Sequence, residues 1–171
     1  GEMYDNGQGV TQDYKEAFKW FSLAAEQGDA RAQCNLGMKY DKGKGVTRDY
    51  KEAVKWYSLA AKQGDARAQC NLGVVYSNGN GVTRDYKEAF KWYSLAAKQD
   101  VAEAQNNLGG MYKLGNGVVK DYAQAHKWFN IAGSNGYVGA GEVRDTLEKA
   151  MTPSQIAEAK KLARKWMEIL E

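Results

Sequence analysis

The sequence predicts an all-α solenoid of stacked helix pairs, and three observations carry that prediction. Trp20, Trp56, Trp92 and Trp128 recur every 36 residues without an insertion. Gly9, Gly45, Gly81 and Gly117 keep the same register, as do Tyr14, Tyr50, Tyr86 and Tyr122 and the Leu36, Leu72, Leu108 set. Between these fixed points apolar residues fall at helical spacing, interrupted by glycine clusters. Units of this length bury their apolar faces only by stacking on neighbours, which yields an elongated body with a long curved surface. Such surfaces serve chiefly to bind other proteins.

The frame divides the chain into a partial unit 1–28, full units 29–64, 65–100 and 101–136, and a C-terminal segment 137–171. In unit 29–64 Asp29 is placed to cap a first helix whose Ala32, Leu36 and Tyr40 lie on one buried face. Gly43 and Gly45, followed by Val46, then break the helix where left-handed backbone angles cost glycine little. Asp49 with Glu52 three residues later has the form of a capping box and opens the second helix, as Asp85 with Glu88 does one unit on. Ala53, Trp56, Tyr57, Ala60 and Ala61 continue at helical spacing, and Gly64 supplies the stop. The recurring aromatics of the second helix are expected in the core between units.

The segment 137–171 departs from the period. A helix is predicted from Tyr137 to Ala150. Thr152, Pro153 and Gln155 then place a cap, a first-turn proline and a third-position glutamine before a final helix reaching about Leu170. Ile156, Ala159, Ala163, Trp166 and Leu170 form its apolar stripe, with Lys160, Lys161, Arg164, Lys165 and Glu168 off it. Its expected task is to cap the last repeat, because exposed solenoid ends need a polar-backed cover.

Composition narrows the function. The chain is 43% hydrophobic and 26% charged, has one proline in 171 residues, and carries a formal net charge of +3 spread along the repeats. That distribution argues against nucleic acid and anionic membrane as partners, and no apolar run approaches the length of a membrane span. Cys34 and Cys70 occupy the same position of successive units, where Asn106 stands in the next. Equivalent stacked helices are too far apart for easy bridging, so both are expected to be thiols, compatible with a reducing compartment.

No catalytic, metal or cofactor site is predicted. His126 lacks a second histidine or a cysteine at ligand spacing and is expected to be an ordinary packed or surface residue. Turns such as Gly79-Asn80-Gly81 follow a helix and lack the rest of a phosphate loop. Ser58 and Ser94 have no histidine base placed by the repeat.

Asn-Leu-Gly and Tyr in the first helix, the Gly-x-Gly-Val turn, and Asp-Tyr-x-x-Ala with Lys-Trp-x-x-x-Ala-Ala in the second resemble the Sel-1-like repeat family, an α/α solenoid related to tetratricopeptide repeats. The match covers about residues 1 to 136. It implies a right-handed superhelix that acts as a non-enzymatic scaffold or adaptor, of a kind widespread in bacteria. Some cysteine-rich bacterial members are linked to penicillin binding and β-lactam hydrolysis, but they carry paired cysteines within each repeat, and this chain does not. A β-lactam-binding or hydrolysing protein is therefore the alternative, together with an interaction module of a longer protein. Bacterial members are often exported, so the resemblance leaves the compartment open.

In tetratricopeptide relatives the inner groove is formed by first helices, and an asparagine there binds an extended peptide. Arg31, Asn35 and Met38 project away from the Ala32, Leu36, Tyr40 stripe, and Arg67, Asn71 and Val74, then Glu103, Asn107 and Gly110, take the same places. Asn35, Asn71 and Asn107 match the groove asparagine's neighbourhood. An amide offers a peptide both donor and acceptor, and Arg31 and Arg67 suit acidic groups. The alternative is an internal asparagine ladder between neighbouring first helices. The expected partner is another protein or peptide segment.

Units 29–64 and 65–100 differ at seven of 36 positions, and five of these (38, 39, 41, 42 and 44 against 74, 75, 77, 78 and 80) crowd the end of the first helix and the turn. That edge reads as a loop under little packing constraint or a diversified contact rim. Asp100 replaces Gly64, which predicts a weaker junction before Val101. Gly1 aligns with Gly37, Gly73 and Gly109, so the chain begins inside a repeat. The natural N-terminus is expected upstream, with the apolar side of the adjoining helix, Phe18 and Phe21 included, exposed and open to an end-to-end dimer.

Overall fold

A computed structural model describes residues 1–170, with the backbone alone for Ile169 and Leu170. All regular structure among these residues is helical. The chain divides into two compact units, Gly1–Arg84 and Asp85–Glu171. The first holds α1 (Glu2–Asn6), α2 (Tyr14–Glu26), α3 (Ala30–Lys42), α4 (Tyr50–Lys62) and α5 (Ala66–Asn78). The second holds α6 (Tyr86–Ala97), α7 (Ala102–Leu114), α8 (Tyr122–Ser134), α9 (Ala140–Glu148) and α10 (Pro153–Leu170).

The first unit shows why these residues form helix pairs. Asp29 and Asp65 each accept the third-position backbone N–H of α3 and α5, at 2.6 and 2.8 Å. Asp49 accepts from Lys51 N and Glu52 N at 2.9 and 3.1 Å, so α4 starts where the sequence places it. The reciprocal half of the expected capping box does not form. The Asp49 N–H donates to the Tyr40 carbonyl at 3.0 Å, which ties α4 back to α3, and Glu52 turns to Lys55 at 3.2 Å. Gly43 ends α3 at φ 65°, and Gly45 lies at φ 81° in the turn. A Cβ on Gly45 would run into the Tyr14 carbonyl, so this glycine also sets how closely one helix pair approaches the start of α2.

The core of this unit is built from alanines and one ring per pair. Ala17, Phe21, Ala25, Ala32 and Leu36 form one cluster, with Phe18, Tyr40 and Trp56 packed on it. The fully packed aromatic is the one after the tryptophan: Phe21 is 5% exposed and Tyr57 2%, whereas Trp20 is 47% exposed. A Cβ on Gly37 would lie 2.6 Å from Tyr57, and one on Gly1 would lie 2.6 Å from Phe21. These glycines let the ring rest on the facing helix backbone, and each buried ring contributes about 2 kcal/mol. Phe21 is thus covered by Gly1, and Phe18 meets Tyr40 edge-on at 5.5 Å, so the expected exposure of these two rings is not found.

The second unit repeats the pattern with two changes. Asp100 adopts φ 58°, the left-handed position that Gly64 takes at φ 94°. Val101 stands where Asp29 and Asp65 cap, so α7 has no side-chain cap. They come from two adjacent substitutions, Gly64 to Asp100 and Asp65 to Val101.

Beyond α8 the expected helix from Tyr137 starts only at Ala140, because Gly136 and Gly139 both take left-handed angles, φ 86° and 87°. Thr152 and Gln155 form the full capping box: Gln155 N donates to Thr152 Oγ1 at 3.3 Å and Thr152 N to Gln155 Oε1 at 2.9 Å. Ala159 and Ala163 of α10 are fully buried, Ile156 packs with Phe129 and Leu147, and the charged residues of this helix from Lys160 to Glu168 face solvent. The Leu170 side chain lies outside the described residues.

Candidate functional site

The first helices carry the candidate surface. On α3, Arg31 is exposed and Asn35 and Met38 are half-buried, at i, i+4 and i+7. On α5, Arg67, Asn71 and Val74 hold the same places with the same exposure. Arg31, Asn35, Met38 and Arg67 line one cleft of about 310 Å³, closed on its other side by Glu2, Asp5 and Asn6 of α1. A neighbouring cleft of about 340 Å³ shares Arg31 and Asn35 and runs to the exposed Trp20. The Arg31 guanidinium pairs with Glu2 at 3.1 Å across this surface. Glu103 and Asn107 lie on α7 of the second unit, exposed and half-buried respectively.

The asparagines do not behave alike. Asn35 lines the clefts, whereas Asn71 turns its Nδ2 to Cys34 Sγ at 4.0 Å, a contact between neighbouring first helices. Buried amides that tie first helices to second helices are supplied instead by glutamines that sequence reasoning passed over. Gln33, Gln69 and Gln105, each 5% exposed or less, donate from Nε2 to the carbonyls of Ala25, Ala61 and Ala97 at 3.1, 3.2 and 3.2 Å. Their signal was present, because they recur in register two residues before each asparagine.

Lys39 departs from the expectation that the variable edge is a loop under little packing constraint or a contact rim. It is 3% exposed, in the slot filled by Val75 and Met111 in later repeats. Its ammonium pairs with Asp5 of α1 and lies 4.9 Å from the Tyr14 ring centroid. The floor beside the clefts is therefore charged and ion-paired, where the other repeats are apolar. Lys42 and Lys44, both exposed, line a small cleft with Asp5 and Asn35.

Reactive groups are muted. Cys34 and Cys70 are buried and form no disulfide. Burial, helped by the Asp65 carboxylate, pushes the Cys34 thiol up to about 12, so it stays protonated and unreactive near neutral pH. His126 is fully buried on α8, with Nε2 2.6 Å from Glu148 Oε1 at the end of α9. That hydrogen bond, aided by Lys160, holds the Glu148 carboxyl below its ordinary range. Among the described residues no cluster of three or more His, Cys, Asp or Glu is placed to hold a metal, and no helix is long and apolar enough to cross a membrane. The cleft gathers two guanidinium groups and an amide opposite two carboxylates.

Comparison with known proteins gives the family. The Sel1 repeat model matches residues 1–29, 30–65, 66–101 and 102–137. A protective antigen of uropathogenic Escherichia coli strains, described as displaying an SLR fold, is 39% identical with a TM-score of 0.92, over 98% of this chain and 36% of its own. This chain thus spans little more than a third of that antigen. A Sel1 repeat protein from Oxalobacter formigenes is 37% identical with a TM-score of 0.82, over 96% of this chain and 69% of its own. Cysteine rich protein B of Helicobacter pylori is 25% identical with a TM-score of 0.61, over 81% of this chain and 99% of its own. No curated protein matches the chain at a significant level. With four successive copies of the repeat matched between residues 1 and 137, the chain belongs to the Sel1 repeat family, whose members typically serve as protein-interaction modules on a fold that is generally a non-enzymatic scaffold.

Proposed function

We propose that this chain is a non-enzymatic interaction scaffold that holds a segment of a partner protein in the groove of its first helices. Residues 1–136 are the repeats, each with its own stretch of first-helix surface, and 137–171 close the last of them. The observation that carries this reading is the cleft in which Arg31, Asn35, Met38 and Arg67 face Glu2 and Asp5. Asn35 is free to pair with a peptide unit, the arginines with acidic side chains, and the α1 carboxylates with basic ones. Val74 and Asn71 extend the same face along α5, and Glu103 and Asn107 are the equivalents on α7. A partner segment of mixed charge, laid extended, matches this alternation.

The absence of an enzymatic role is supported by the chemistry of one thiol, since a Cys34 held near 12 makes a poor nucleophile. Nitrocefin turnover above background would overturn that part.

The test of the groove is selection of peptides from a displayed random library against the chain, followed by binding to a triple variant, Arg31→Ala, Asn35→Ala, Arg67→Ala. These positions are exposed or half-buried, so the variant is expected to fold. Selected peptides that lose binding to the folded variant support the groove. Peptides that bind both proteins equally place recognition elsewhere.

A further inference from the structure

The second helices repeat a surface motif whose occupant is visible on α8. Lys55, Trp56 and Leu59 on α4, Lys91, Trp92 and Leu95 on α6, and Lys127, Trp128 and Ile131 on α8 stand at i, i+1 and i+4, adjacent on the helix surface. On α4 the Lys55 ammonium lies 5.4 Å from the Trp56 ring centroid, and Leu59 is 40% exposed. On α6 the Lys91 distance is also 5.4 Å, and Leu95 is 37% exposed. Exposed leucines in register on successive second helices are a cost to a chain that lives alone in water.

On α8 the motif is covered by α10. Trp166 meets Trp128 edge-on at 4.8 Å, and the Lys127 ammonium sits 4.2 Å from the Trp128 centroid and 5.0 Å from that of Trp166. Lys127 is 9% exposed and Ile131 1%. Buried Ala159 and Ala163 present no bulk where α10 comes close, and the tryptophan beyond them supplies a second ring to the lysine. Desolvation pushes the Lys127 pKa down, as expected for an ammonium enclosed by rings.

A difference in charge separates the open copies from the covered one. Glu52 and Glu88 pair with Lys55 and Lys91 at 3.2 and 3.4 Å, whereas Gln124 stands at that position on α8. An occupant of α4 or α6 therefore meets a carboxylate beside the lysine and needs a cation of its own. On α10 itself Lys160, Lys161, Arg164 and Lys165 are exposed, so a helix with this apolar stripe can carry cations beside its contact face.

We propose that the Lys55, Trp56, Leu59 surface and the Lys91, Trp92, Leu95 surface are docking stations for a partner's amphipathic helix of the α10 type: small residues and one tryptophan on the apolar stripe, basic residues beside it. The stations lie on second helices and do not depend on the first-helix groove.

The probe is a labelled peptide of residues 152–168, titrated into the full chain and followed by fluorescence anisotropy. Saturable binding is expected, weakened at least about tenfold by Leu59→Glu with Leu95→Glu and by Trp166→Ala in the peptide. The groove variant at Arg31, Asn35 and Arg67 should bind the peptide undiminished. If the leucine variant loses its helical circular dichroism, Lys55→Ala with Lys91→Ala reads the same stations. No saturable binding, or binding indifferent to both station variants and therefore due to exchange with the resident helix, overturns the proposal.

Discussion

Gln63 donates from Nε2 to Gln33 Oε1 at 2.8 Å, joining the end of α4 to the start of α3 across 30 residues of chain. Gln33 passes the link on, its own Nε2 reaching the Ala25 carbonyl of α2 at 3.1 Å. Asn135 and Gln105 repeat the relationship at 3.0 Å in the second unit. One buried amide thus joins three helices and satisfies a helix-end carbonyl. Gln33→Leu strips partners from Gln63 and Ala25, and a loss of about 1–3 kcal/mol is expected in urea unfolding. Gln63→Ala, at the exposed end of the link, should cost less than half as much.

Lys39 and Asp5 answer differently to mutation. Lys39→Met puts into the slot the residue found at Met111, so stability should hold or rise by up to about 2 kcal/mol, since a buried ion pair is often matched by a well-packed apolar side chain. Asp5→Ala leaves the ammonium buried without its carboxylate. Because Asp5 is itself partly exposed, we expect a loss of about 2 kcal/mol, below the full cost for a wholly buried pair. Chemical denaturation of both variants gives the sign of each.

Two glycines with left-handed angles separate backbone strain from steric approach. Gly28 lies at φ 91°, and a Cβ added there would meet no atom within 4 Å, so Gly28→Ala should cost only the backbone term, about 1 kcal/mol. Gly45→Ala carries the same strain and drives its methyl into the Tyr14 backbone, so its cost should exceed that of Gly28→Ala by at least about 1 kcal/mol. Equal melting temperatures for the two would contradict a close approach at Gly45.

The uncapped α7 is open to repair. Val101→Asp restores the cap that Asp29 and Asp65 provide, and about 1 kcal/mol of added stability is expected. Amide exchange should slow at Ala104, the counterpart of Ala32 and Ala68 in the capped helices. An unchanged exchange rate there would show that the aspartate does not reach.

Glu148 sets an acid limit. Its carboxyl is held down by the His126 hydrogen bond, with help from Lys160, so the contribution is fully present above the ordinary glutamate pKa of about 4.3 and is lost as pH falls through the lowered folded value. Unfolding followed from pH 6 to pH 3 should show the natural chain losing its advantage over Glu148→Gln across that window. A constant difference at all pH values would disconnect the carboxyl from the effect.

Much of the local structure was legible because its signals lie close together in sequence. Asp29, Asp49 and Asp65 cap where expected, Gly43 and Gly45 turn the chain, and Thr152 with Gln155 opens α10. The misreadings arose where a distant segment competes. Glu52 loses its capping role because the Tyr40 carbonyl claims the Asp49 N–H. The start of α9 was misplaced for a local reason: two glycines in four residues outweighed the apolar spacing. At the candidate surface, helical projection picks out Arg31, Asn35, Met38 and Arg67, but Glu2 opposite them stands where later repeats carry Met38 and Val74 and has no periodic signal.

The sequence by itself determined the helix pairs, their period and the family, since caps, glycine turns and apolar spacing act within one 36-residue window. Only the tertiary structure decided which polar side chains go inside. Gln33, Lys39 and His126 are buried because Gln63, Asp5 and Glu148 meet them from other helices, 30, 34 and 22 residues away. Burying a polar group is tolerable only where a partner waits, and whether one waits is a property of the packed helices.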